Sequence, residues 1–161
     1  SGSIAISLAS ENREWKGLAT DIDIKAIHVA QKNHKQISKK LNINFYSGNW
    51  WEPLIDYAGM INLAISNPPY IPQNVYETLP SSVKDFEPEV ALCGGEDGLY
   101  HIKQIISNAP KYMRRGGWLI LENHFDQSKK IKNLLLDYGF IATHTIQDTF
   151  GIGRFTIGRY K

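Results

Sequence analysis

Two consecutive prolines, Pro68 and Pro69, follow closely on the apolar run Met60-Ile61-Asn62-Leu63-Ala64-Ile65-Ser66 and cut it off. A proline has no N–H and a fixed φ, so neither can continue the hydrogen bonding of a strand. A strand over 60–66 must therefore stop near Asn67, leaving the Asn67 side chain and the neighbouring carbonyls at its carboxyl end. In open α/β sheets that edge is where ligands sit. An Asn amide oxygen and the Pro68 carbonyl, held rigidly side by side, form a pair of acceptors suited to a planar –NH2 group, with Tyr70 able to pack on its face. The plainer alternative is that Asn67-Pro68-Pro69-Tyr70 is only a rigid turn.

The rest of the chain alternates short strands with helical periodicity. Ser3 to Ala9 is a helix-like run after a glycine, and Gly17 to Thr20 reads as a buried strand ending in Asp21. Asp23 is an N-cap for a helix in which Ile24, Ile27, Ala30, His34 and Ile37 recur at helical spacing through about Lys40. Asn44 to Ser47 is a second strand, and Gly48 to Pro53 a loop. From Ile71 to about Asp97 the chain has little periodicity and three prolines, so it reads as a long loop, which in a compact domain is usually functional or mobile. A helix is expected over Leu99 to Arg115 with Pro110 breaking or kinking it, then a strand over Trp118 to Glu122. An amphipathic helix over Ser128 to Tyr138 is closed by Gly139, and strands over Phe140–Gln147 and Phe155–Tyr160 form an antiparallel hairpin. This alternation predicts an α/β domain with a largely parallel sheet covered on both faces.

The 161 residues suffice for one domain with a real core. Lys and Arg total 18 against 16 Asp and Glu, a net charge of +2, so no strong field is present to hold a long nucleic acid. Clusters such as Lys39-Lys40, Arg114-Arg115 and Lys129-Lys130-Lys132 read as solvated helix surface. Cys93 is the only cysteine, which excludes an internal disulfide and suits a reducing cytoplasm. It reads as a small core or loop residue rather than a nucleophile. No apolar stretch approaches the roughly 20 residues that span a bilayer, and Ser1-Gly2-Ser3-Ile4 lacks the basic region of a signal peptide.

Three further positions bear on ligand binding. An acidic residue ending a strand about 20 residues after a glycine-rich turn accepts hydrogen bonds from ribose hydroxyls. Asp21 stands at about that distance from Gly2, although an Asp at a strand end is commonly just a turn residue. Ser1-Gly2-Ser3 reads as the tail of such a turn, where backbone approaches a cofactor at a helix N-terminus, or else as the remnant of a tag. Asn49-Trp50 follows the next strand, placed to meet an adenine; Trp50 and Trp51 serve equally well as core or rim aromatics.

Methylation of an amide or aromatic amine fits this set. The nitrogen lone pair is delocalised, and acceptors on both N–H bonds favour the geometry in which it faces an electrophilic methyl. S-adenosylmethionine carries that methyl already activated, so the protein's part is orientation and electrostatics.

With these residues in place, the sequence resembles the HemK/PrmC family, the protein-(glutamine-N5) methyltransferases that modify class 1 peptide chain release factors. Ser1-Gly2-Ser3-Ile4-Ala5 resembles the end of D-x-G-T-G-[ST]-G-x-I, Gly48-Asn49-Trp50 resembles G-D-W, and Ser66-Asn67-Pro68-Pro69-Tyr70-Ile71 matches S-N-P-P-Y-I. Phe86-Glu87-Pro88, Ala91-Leu92 and Gly94-Gly95-Glu96-Asp97-Gly98-Leu99 follow F-E-P…A-L-x-G-G-E-D-G-L. Gly116-Gly117-Trp118-Leu119, Leu121-Glu122 and Arg154-Phe155-Thr156-Ile157-Gly158-Arg159 complete the order. The N-P-P-Y element is shared with adenine-N6 DNA methyltransferases; the G-G-E-D-G-L segment is not.

The resemblance implies a Rossmann-like class I S-adenosylmethionine-dependent methyltransferase. Its sheet would be mostly parallel with a C-terminal antiparallel hairpin, its first strand absent, and residues 1–161 a single N-terminally truncated catalytic domain. It implies that Ser1, Gly2, Asp21, Asn49, Trp50 and Asn67 contact the cofactor. Asn67, Pro68, Pro69 and Tyr70 would hold the glutamine of a release factor's Gly-Gly-Gln loop, with Asn67, Pro68 and Tyr70 at the reaction, and 71–97 would be the docking surface. Asn49 replaces the usual Asp, and Glu122-Asn123-His124-Phe125 departs from E-H-G-W. Two other readings stand beside this one: an adenine-N6 nucleic-acid methyltransferase, which needs a basic, aromatic-interleaved surface, and a truncated domain that binds without catalysis.

Overall fold

A computed structural model describes residues 1–37 and 40–161, so Lys39 of the Lys39-Lys40 pair lies outside the described residues. The chain forms two compact units, Ser1–Asp56 and Tyr57–Lys161.

The first unit holds α1 (Ser3–Glu11), β1 (Gly17–Asp21), α2 (Ile24–Ile37) and β2 (Ile43–Ser47). Strands β1 and β2 run parallel, with Gly17 opposite Ile43 and Asp21 opposite Ser47. Ile6, Ala9, Leu41 and Ile43 form the core, with Ala5, Ala19 and Phe45 packed on it. The Asp23 carboxylate accepts from the Lys25 N–H at 2.8 Å, the N-cap expected from the sequence. Of the periodic set on α2, Ile27 and Ala30 are buried, whereas Ile24 and Ile37 at its two ends are exposed. The presumed loop over 48–53 is shorter than expected, because a 3-10 helix already begins at Glu52 and runs to Tyr57.

The second unit holds β3 (Ile61–Ser66), α3 (Gln73–Glu77), α4 (Ser81–Lys84), α5 (Glu89–Leu92), α6 (Tyr100–Tyr112), β4 (Met113–Glu122), α7 (Ser128–Asp137), β5 (Phe140–Gln147) and β6 (Gly153–Tyr160). Its sheet order is β3-β4-β6-β5: β3 and β4 are parallel, while β6 runs antiparallel to both β4 and β5. The C-terminal hairpin is therefore present, with its second strand inserted between β4 and β5. Two parallel and two antiparallel ladders occur among the described residues, so the pairing is mixed where a mostly parallel sheet was expected. Ile102, Ile106 and Ala109 of α6, Leu119 and Leu121 of β4, Ile131 and Leu135 of α7, and Phe140 make the solvent-free core.

Two further expectations are corrected. The helix after Leu99 ends at Tyr112, not Arg115, and Arg114-Arg115 belong to β4. Pro110 neither stops it nor sets its end, because in the last turn it removes a single donor; Met113 turns extended while its N–H still bonds the Ala109 carbonyl. The segment 71–97 is not structureless: α3, α4 and α5 each start directly after a proline, Pro72, Pro80 and Pro88. A proline's preset φ and missing N–H cost nothing at a helix start, so these prolines open helices instead of excluding them. Among the described residues, no helix is long and apolar enough to cross a membrane.

Candidate active site

In the first unit the candidate ligand contacts are held by local turns. Gly2 caps α1 with φ 73, and a Cβ there would lie 2.8 Å from the Ala30 Cβ on α2. Glycine is thus demanded twice, by backbone conformation and by the approach of a second helix. Ser1 Oγ bonds Ser3 Oγ at 3.2 Å, and the Ser1 carbonyl accepts from Asn33 Nδ2 at 2.9 Å. Asp21, the last residue of β1, accepts at Oδ1 from the Asp23 N–H at 3.0 Å, while its own carbonyl accepts from the Gly48 N–H. That second bond places the end of β1 beside the loop after β2, so Asp21 and Asn49-Trp50 emerge from one end of the parallel pair. Asn49 is exposed, and Trp50 is half-buried with φ 47. A left-handed backbone is costly for a bulky side chain, and such outliers persist where the surroundings hold them.

In the second unit β3 ends at Ser66, as the prolines require, and Asn67 to Tyr70 belong to no helix or strand. The Asn67 side chain is exposed, and Pro68 is fully buried. Tyr70 is half-buried; its hydroxyl donates to Glu122 Oε1 at 3.0 Å, at the end of the neighbouring parallel strand β4. Burial, then the adjacent Glu122 carboxylate, push the Tyr70 phenol above its ordinary value, so it remains a protonated donor, with Arg154 opposing slightly. Ile71 pairs with Cys93 in a parallel bridge, its N–H bonded to the Leu92 carbonyl and its carbonyl to the Gly94 N–H. Cys93 Sγ donates to Gln73 Oε1 at 2.9 Å, a packing role in keeping with the sequence reading.

The bracing of this turn comes from residues that sequence reasoning used only as family markers or passed over. A Cβ on Gly94 would lie 2.8 Å from the Pro69 carbonyl, and one on Gly98 (φ 69) would strike the Tyr70 carbonyl and the Gln127 amide. The G-G-E-D-G-L segment is therefore the wall against which the turn rests. Asp97 Oδ1 accepts from the Leu99 N–H and Oδ2 from Lys103 Nζ at 2.7 Å, and the lysine bond chiefly holds this carboxyl below its ordinary range. Gln127, buried ahead of α7, donates from Nε2 to the Tyr70 carbonyl at 2.9 Å. No periodicity signals Gln127; a Gln five residues after a strand end is indistinguishable from solvated loop.

The departure at 122–125 also acquires a structure. Asn123 is completely buried: Oδ1 accepts from Thr156 Oγ1 at 2.7 Å, and Nδ2 donates to the His124 carbonyl and Ser128 Oγ. An uncharged amide fits there because both its ends are satisfied. His124 Nδ1 lies 2.7 Å from Asp126 Oδ1, and that hydrogen bond holds the Asp126 carboxyl below its ordinary range.

No protein-family model matches the chain. Its sequence is 39% identical over 155 residues to the release factor glutamine methyltransferase of Prochlorococcus marinus, covering 96% of this chain and 53% of that protein. It is 36% identical over 160 residues to the enzyme of the same name from Vibrio cholerae, covering 99% of this chain and 55% of that one. The chain thus spans about half the length of the curated relatives it matches. Among solved structures, the hMettl16 catalytic domain in complex with a MAT2A 3′UTR hairpin superposes with a TM-score of 0.72 at 19% identity, over 99% of this chain and 60% of that one. At that identity the likeness establishes the fold, that of the class I methyltransferases.

Proposed function

We propose, for a chain homologous along nearly its whole length to release factor glutamine methyltransferases, that residues 1–161 are a catalytic domain that methylates the N5 nitrogen of a glutamine side chain. The observation that carries this reading is the turn at Asn67–Tyr70. The Asn67 side chain and the Pro68 carbonyl receive no hydrogen bond from the described residues, whereas the residues after them are braced from three directions. Two free acceptors on a rigid support suit a primary amide, whose N–H bonds they would fix while the nitrogen approaches the methyl. Asn67, Pro68 and Tyr70 are assigned to the reaction, and Asn67 through Tyr70 to the substrate glutamine.

S-adenosylmethionine, when bound, supplies a methyl already activated by its sulfonium. Ser1, Gly2, Asp21, Asn49 and Trp50 are assigned to it by sequence similarity, as is Asn67. The first-unit residues fit such a group: Gly2 lets backbone come close, and Asp21 keeps a carboxylate oxygen free for a ribose hydroxyl. Asn49 can accept from an adenine amine without charge.

The substrate we assign is the Gly-Gly-Gln glutamine of a class 1 release factor in the cytoplasm, docked on 71–97. Phe86 is 85% exposed and Val90 61% on this segment. Glu77, Asp85, Glu87, Glu89, Glu96 and Asp97 are all exposed there, against a single lysine, Lys84. A face of that sign repels phosphates and suits a protein partner. The alternative of adenine-N6 methylation keeps some support, since the hMettl16 structure was solved with an RNA hairpin.

The test is mass spectrometry of a recombinant class 1 release factor, and of bare RNA and DNA, each incubated with the chain and labelled cofactor. Label on the Gly-Gly-Gln glutamine is expected. Label on adenine alone would replace this reading with the nucleic-acid one. Cofactor binding without any transfer would leave a non-catalytic domain.

A further inference from the structure

Gln127 is 3% exposed and ties together three loops far apart in sequence. Its Oε1 accepts from the His124 N–H at 2.9 Å; its Nε2 donates to the Tyr70 carbonyl at 2.9 Å and the Asp97 carbonyl at 3.4 Å. The orientation of the amide is forced, because the reverse would set an oxygen against two carbonyls and an NH2 against an N–H. A buried amide so engaged cannot rotate without leaving polar groups unpaired.

The consequence concerns which acceptors of the turn remain available. The Tyr70 carbonyl is taken by Gln127, while the Pro68 carbonyl two residues earlier receives no N–H from the described backbone. We propose that Gln127 is a positioning residue that occupies the Tyr70 carbonyl and thereby holds the Pro68 carbonyl and Asn67 as the acceptor pair for a substrate –NH2 group. The proposal rests on the glutamine-binding reading of the turn. Gly98 supports it independently: any side chain there would enter the space where the Tyr70 carbonyl and Gln127 Nε2 meet. The contact thus exists only because two separate sequence positions, 98 and 127, both permit it.

Gln127→Glu tests the clamp with little change of shape. The carboxylate still accepts from His124 but loses the two N–H donors and faces two carbonyl oxygens. With a release factor as substrate, kcat is expected to fall about tenfold to a hundredfold, the scale of a small misplacement of reacting groups, while KM for S-adenosylmethionine stays unchanged. Because a protonated Glu regains a donor, the deficit should narrow as pH is lowered. Gln127→Met, which cannot regain a donor, should show no such recovery. Gly98→Ala combined with Gln127→Glu should cost no more kcat than the worse single variant, since both break one contact.

An unchanged kcat in Gln127→Glu would overturn the proposal. So would a loss that tracks thermal stability and cofactor affinity equally in both Gln127 variants and ignores pH. If the wild-type chain transfers no methyl at all, the functional reading falls separately. The clamp is then judged by hydrogen exchange at the Ile71 and Gly94 amides: faster exchange in Gln127→Glu sustains it, and unchanged exchange overturns it.

Discussion

The loops that carry Ser1, Gly2, Asp21, Asn49 and Trp50 and the turn at Asn67–Tyr70 differ in how much of their support is local. The former combine near neighbours, Asp23 for Asp21 and Ser3 for Ser1, with partners some thirty residues away, Gly48 for Asp21 and Asn33 for Ser1, around a two-stranded sheet. The latter is held by Glu122 and Gln127, more than fifty residues further along, and by the glycines at 94 and 98. Local bonds shape a loop but let it follow a ligand; long-range bonds between separate elements fix it in advance. The contrast matches the proposed chemistry, in which a charged, flexible cofactor needs holding and a delocalised amide nitrogen needs aiming.

The largest effect should come from removing a side chain of the proposed acceptor pair. Asn67→Ala is expected to lower methyl transfer by about a hundredfold or more, the scale of a lost preorganised polar contact. Its melting temperature should stay near wild type because the side chain is exposed, and cofactor binding by calorimetry should survive at least in part. Normal turnover would remove Asn67 from the acceptor pair.

Gly98→Ala strikes the brace itself. Both the positive φ and the contact with Tyr70 and Gln127 oppose a Cβ, so a stability loss of about 3 kcal/mol is expected in urea unfolding, together with lost turnover. Gly2→Ala is the corresponding change in the locally built region. Its nearest contact, the Ala30 Cβ at 2.8 Å, is less close than those at Gly98, so about 1–2 kcal/mol and weaker cofactor binding are expected. Should Gly2→Ala cost more than Gly98→Ala, the ranking of local against long-range support would be reversed.

The smallest effect is a pH slope belonging to the second unit. Burial lowers the His101 pKa, so the folded form disfavours the charged ring. As pH falls below the ordinary histidine value, the unfolded chain takes up the proton first. The stability from this site is therefore complete above about 6.5 and is lost as pH falls through the depressed folded value. Urea midpoints measured between pH 7.5 and 5 should decline, and His101→Gln should flatten the decline. An equal slope in both would assign it to other groups.

Much of the architecture was legible because it depends on neighbours in sequence. The prolines end β3 whatever surrounds them, Asp23 caps α2 through its own backbone, and Gly139 follows α7 as periodicity requires. The exposed Asn67 beside the buried Pro68, on which the proposed acceptor pair rests, follows from adjacent residues in the same way. Errors fell where a local signal had two meanings. Prolines in 71–97 read as breakers but open three short helices, and Arg114-Arg115 read as a helix end but lie in β4, in the register shift between the Ile61–Met113 and Leu63–Trp118 pairs.

What the sequence determined by itself was the end of β3 and the stiff Asn67–Tyr70 segment after it, properties of contiguous residues with restricted dihedrals. Only the tertiary structure decided why the turn holds its shape. The carbonyl of Tyr70 meets Gln127, and the hydroxyl of Tyr70 meets Glu122, because β4 lies parallel to β3 and delivers its end, and the loop after it, to the same edge. No reading of spacing could supply that, since a hydrogen bond across fifty residues leaves no period in the chain.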